Sequence, residues 1–124
     1  MYDEQQIASL RKEMDRRLAS CPLFLKLALR PVPTLLQGRI PFDHFLERQA
    51  DACTTWMYCR DDVKADLEES FSQEGELLMD IYNAIVEIGD FSTQEARDLL
   101  KERVCLAAEA YLARPEQERK CFLF

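Results

Sequence analysis

Apolar residues return at steps of three and four in one stretch of this sequence after another, and only a helical backbone gathers that spacing onto one face. Ile7, Leu10, Met14 and Leu18 form the first such stripe and predict a helix from about Asp3 to Ala19. Phe42, Phe45, Leu46, Gln49, Cys53, Trp56, Met57 and Arg60 share one arc at about 100° per residue, in a helix that Pro41 opens. A further helix is expected over "DDVKADLEESF". Ser72 then caps another, in which Leu77, Leu78, Ile81, Ile85 and Ile88 make the core stripe and Gly89 supplies the left-handed stop. In "DFSTQEA", Ser92 and Glu95 have the spacing of a capping box, with Phe91 placed to staple against Ala96. The helix that starts there is expected to reach about Ala113. Its arc of Ala96, Leu99, Leu100, Val104, Ala107, Ala108 and Tyr111 is broad enough to predict a central position, with Arg103 at its edge snorkelling or meeting an acid.

The stretch "PLFLKLALRPVPTLLQGRIP" is ambiguous. Leu23, Leu25, Leu27 and Leu29 alternate as a strand does, yet leucine, alanine and lysine favour a helix that Ser20 can cap near Pro22. A short helix is the reading adopted. Pro31 and Pro33 then predict an irregular connection. With residues 89 and 90 ("GD") joining the last two helices, the fold class is all-α. The expected architecture is a single domain over residues 1–124, a bundle of five or six helices ending in a helical hairpin. A composition of 48% hydrophobic residues with only three glycines supplies the core that such a domain needs.

Net charge is −7, and its placement carries more information than its size. Between Asp61 and Asp80 stand eight acids against Lys64 alone, which accounts for the whole imbalance. Such a block attracts a basic surface and repels phosphate backbones and anionic lipid. It is either a solvated helix face or a partner-docking face. On the second reading Asp61, Asp62, Asp66, Glu68 and Glu69 supply the charge, and Leu67 and Phe71 the apolar contact that affinity requires. Direct nucleic-acid binding is disfavoured, with Arg11, Lys12, Arg16 and Arg17 as the one basic patch that offers it a foothold.

Little in the sequence points to catalysis. His44 is the only histidine, and it lies about 160° from the buried arc of its helix, on a face with Glu47, Arg48, Asp51 and Thr55. A metal role needs more inward-facing ligands than that, so no metal and no cofactor are expected. Cys53 and Cys59 lie about 120° apart around one helix and do not converge on an ion, Cys53 reading as core and Cys59 as a boundary thiol. No nucleophile with a base and no glycine-rich phosphate loop is present, and the chain is read as a non-enzyme. No apolar run approaches the roughly 20 residues of a membrane span, and "MYDEQQIASL" lacks signal-peptide features. Five scattered cysteines suit free thiols in a reducing compartment, which makes the expected location cytoplasmic.

The segment "CPLFLKL...LLQGRIPFDHFLERQ" resembles the opening of haem-oxygenase-like and TenA-like helical proteins, in which an apolar helix, a glycine-containing turn and a helix with aromatics and glutamine follow in that order. The resemblance covers about the first half of the chain and implies a helical enzyme or cofactor carrier. Cys21 stands before Pro22 where those proteins have histidine, and no functional residue is carried over.

The chain ends in Cys121, Phe122, Leu123 and Phe124, a loose match to the C-a-a-X pattern that directs prenylation of Cys121. Glu116 and Glu118 offset Arg119 and Lys120, which removes the polybasic second signal that stable anchoring needs. The preferred expectation is a short helix from Pro115 that docks these residues on the bundle. The function expected is that of a small acidic protein acting by protein–protein binding, as a regulator, inhibitor or immunity-type antagonist of a partner with a basic surface. The alternatives are a membrane-associated adaptor or host-directed effector prenylated at Cys121, and the haem-oxygenase-like carrier.

Overall fold

A computed structural model describes residues 3–116 and contains six helices among them. Cys121 and the three residues after it, expected to be docked or prenylated, lie outside the described residues. The first helix, α1 (Glu4–Leu18), opens with a capping box in which Asp3 Oδ1 accepts from the Gln6 amide and Gln6 Oε1 accepts from the Asp3 amide, both at 2.8 Å. Ile7, Leu10, Met14 and Leu18 are all buried, as their spacing predicts. The ambiguous leucines form the expected short helix, α2 (Leu23–Leu29), which turns Leu25, Ala28 and Leu29 inward and leaves Leu23 and Leu27 exposed.

The two prolines do not make an irregular link. They start a third helix, α3 (Val32–Leu36), with Pro31 at the N-cap and Pro33 in the first turn, where a missing amide hydrogen leaves no bond unmade. Arg11 ties α1 to α3 by donating to Thr34 Oγ1 (3.2 Å) and Gln37 Oε1 (3.0 Å). Helix α4 (Phe42–Tyr58) buries Phe45, Gln49, Ala52, Cys53 and Trp56, while Met57 and Arg60 fall outside the covered arc. Gln49 Nε2 donates to the Ala28 carbonyl near the end of α2 (2.7 Å), which joins the two helices through a buried polar contact.

The break expected at Ser72 is a kink. A single run, α5 (Asp61–Ile88), continues through it, with Phe71 alone off helical geometry at φ −132°, ψ 28°. Gly89 stops the helix at φ +75°, the positive φ expected of it, with ψ at −43° rather than in the left-handed helical well. The hairpin partner, α6 (Gln94–Ala113), is capped by Thr93, whose Oγ1 accepts from the Ala96 amide at 3.2 Å. The expected Ser92 cap is displaced by one residue because the Ser92 amide donates to Asp90 Oδ1 (3.0 Å), a bond that also lowers the Asp90 carboxyl pKa. Phe91 packs on Phe42, ring centroids 5.2 Å apart. Thr93→Ala should therefore cost about 1 kcal/mol in thermal unfolding and Ser92→Ala clearly less. An equal or larger loss at Ser92 would return the cap to that residue.

Helix α5, rather than α6, holds the centre: it packs against α2, α4 and α6, whereas α1 packs on α2 and α3, and α3 on α6. The breadth of an apolar arc sets how much surface a helix can bury, and its neighbours decide how much is covered. Leu99 and Leu106 of α6 remain exposed. No helix of the described residues is long and apolar enough to cross a membrane.

Candidate protein-binding surface

The eight acids between Asp61 and Asp80 do not share one environment, because twenty residues of helix visit every face. Asp61, Asp62, Asp66, Glu68 and Glu69 are exposed along the part of α5 that precedes the kink. The ion pairs holding this group are long, Arg60 to Asp62 at 3.6 Å and Lys64 to Glu68 at 3.9 Å. Lys64 is engaged elsewhere as well: its Nζ donates to the Trp56 carbonyl (2.6 Å) and lies 4.9 Å from the Trp56 ring centroid. It satisfies a carbonyl of the last turn of α4, where a cation also complements the helix dipole.

Beyond the kink Glu74 and Glu76 hold helices together, whereas Asp80 is exposed. Glu76 receives both Arg114 guanidinium nitrogens, at 2.7 and 3.0 Å. The Asp80 carboxyl is pushed up from its ordinary pKa, first by burial and then by Glu76, with Arg114 and Arg103 acting against the shift. Glu74 is fully buried and its Oε2 accepts a hydrogen bond from the Tyr111 hydroxyl of α6. Leu67 and Phe71, the expected apolar half of the docking face, are each 0% exposed, which corrects that expectation. Both point into the core because they continue the stripe of Leu78 and Ile81 at steps of three and four. Glu74 occupies the same register, and that coincidence was the sequence signal for its burial.

The three arginines of the basic patch are engaged within the protein, while Lys12 is exposed. Arg11 holds α3. Arg16 pairs with Glu13 and Glu116. The Arg17 side chain is largely buried, donates to the Tyr111 and Leu112 carbonyls (3.2 and 3.1 Å) and stacks over the Tyr111 ring. Pro115 is fixed in turn, its carbonyl accepting from Gln73 Nε2 at 2.8 Å. Arg103 meets Glu87 at 2.8 Å, one of the two roles its position suggested.

His44 is exposed, and its Nε2 accepts from Arg48 Nε at 3.2 Å. It thus stands on the outer face where the helical phase placed it, away from the bundle interior that a cofactor-carrying histidine would have to reach. Cys53 is buried and its thiol is pushed up to about 11, which keeps it protonated, while Cys59 sits at the boundary. No group of three metal-ligating side chains occurs among the described residues. Comparison with family models, with curated proteins and with solved structures finds no match to this chain.

A second acidic surface was not anticipated. On α6, Glu95, Asp98 and Glu102 border Leu99 in a shallow depression, and an adjoining one brings Glu87 and Asp90 from the end of α5 and the hairpin to the same leucine. The sequence had assigned Leu99 to the core arc, and its 45% exposure is the difference.

Proposed function

We propose that this protein works by binding another protein, as a regulator or antagonist whose acidic face engages a basic surface. The observation that carries the reading is a contrast in how the charges are used. Arginines of the basic patch are committed to contacts that hold helices together, whereas Asp61 and Asp66 stand exposed with no ion pair among the described residues, beside the loosely paired Asp62 and Glu68. Exposed carboxylates of one sign accelerate encounter with a basic partner and reject anionic ones.

The test is a triple reversal, Asp66→Lys, Glu68→Lys and Glu69→Lys, at positions that point to solvent and should leave helix content and Tm unchanged. Native mass spectrometry of the protein isolated from its own cells should show a basic protein held by the unaltered chain and lost from the variant. Association should also weaken as salt rises from about 50 to 500 mM, as screening of exposed charge requires. Retention of the same partner by the reversed variant at low salt would overturn the proposal.

A further inference from the structure

Leu67 and Phe71 are buried and offer the α5 acids no apolar contact, although Met57 and Tyr58 stand exposed at the end of α4 just before them, and charge alone gives rate and specificity more than affinity. The outer face of α6 has both components. Leu99 is 45% and Leu106 58% exposed. Seven residues apart, they stand about 10 Å from one another along the same face of the helix. Glu95, Asp98 and Glu102 flank Leu99, and none of the three has an ion pair among the described residues. Glu87, although paired with Arg103, and Asp90 extend the acidic border across the hairpin.

We infer that this face of α6 is a docking surface for an amphipathic helix of a partner protein that carries lysine or arginine beside its apolar residues. The inference rests on the reading of the chain as a binding protein and moves its affinity-bearing contact from α5 to α6. Leucines at a seven-residue interval match the repeat of a partner helix laid alongside at a shallow angle, each entering the space between the partner's side chains. Charge selects the occupant. A second copy using the same face would bring the same net negative charge to the contact, and an anionic bilayer is repelled by the same carboxylates. A basic amphipathic helix gains from both the leucines and the acids.

The test uses a designed helical peptide with leucines at coiled-coil spacing and lysines beside them, and a control peptide with glutamates in place of the lysines, titrated into the full chain by fluorescence anisotropy. The lysine peptide should bind and the glutamate peptide should not. Leu99→Ser with Leu106→Ser should weaken binding by roughly tenfold or more while the fold is retained with a lowered Tm, since both side chains are about half exposed. Reversing Glu95, Asp98 and Glu102 to lysine should exchange the preference, so that the glutamate peptide binds instead. Loss of binding with the Asp66, Glu68 and Glu69 reversal but not with the α6 variants would overturn this inference and leave the α5 reading standing. Binding of neither peptide, or a dimer in sedimentation that the leucine variant abolishes, would overturn it outright.

Discussion

Replacing Gly75 by alanine is expected to destabilise the protein by about 2 kcal/mol, a fall of roughly 8 °C in Tm, against the usual sign of that substitution in a helix. In an exposed helix interior the change is favourable by about 1 kcal/mol, because glycine has more backbone freedom to lose. Here the space is taken. A Cβ built on Gly75 would lie 2.5 Å from Trp56 Cη2 and 2.9 Å from Cε2, and nearer still to Cζ2. These atoms belong to a rigid ring that is only 7% exposed and lies near the Lys64 ammonium, so the ring has no free rotamer into which to retreat. Relief must come from α4 moving off α5, which opens the packing on both sides. The cause is separable by a double-mutant cycle with Trp56→Leu, which removes the ring: in that background Gly75→Ala should cost nothing or become mildly stabilising. An increase in Tm from Gly75→Ala in the unaltered protein would show that the approach of α4 to α5 is not tight.

Tyr111→Phe is expected to cost about 2–3 kcal/mol although it removes a single oxygen. That oxygen carries the donor to the Glu74 carboxylate, which is fully buried between α5 and α6. Taking the hydroxyl away removes a hydrogen bond that offsets the burial of the Glu74 side chain, and a lost bond to a buried group costs more than one at the surface. The stacking of Arg17 on the ring is retained by phenylalanine, so the measured change reports the hydroxyl. Glu74→Gln keeps an acceptor in place and should cost less. The double variant Tyr111→Phe with Glu74→Leu should recover most of the loss, since two apolar groups of similar shape satisfy one another. Full additivity of the two single changes in denaturant unfolding would mean that the pair does not act as a unit.

Leu99 shows how the candidate surface escaped the sequence. It lies about 100°, 140° and 180° around the helix from Leu100, Val104 and Ala108, so its phase already set it off the buried stripe, and the broad arc drawn from Ala96 to Tyr111 hid that. Glu74 shows the converse. An acid counts toward an acidic block by its identity, yet its position in register with Phe71, Leu78 and Ile81 puts it inside. The cap of α6 was legible to within one residue, because Ser92 and Thr93 are both good cap formers and the choice fell to the bond between the Ser92 amide and Asp90. The break before Ser72 was legible as a place and not as a form: the sequence marks an interruption near Phe71, and packing of Leu67 and Phe71 into the core carries the helix through it as a kink.

Helical class, the α1 stripe, the outward position of His44 and the stop at Gly89 followed from the sequence alone, since each depends on interactions within about four residues of the chain. Which helix stands at the centre, and how α5 continues through its kink, were decided by the tertiary structure. Burial is a property of what arrives from elsewhere in the chain, and periodicity along one helix holds no record of where its neighbours end.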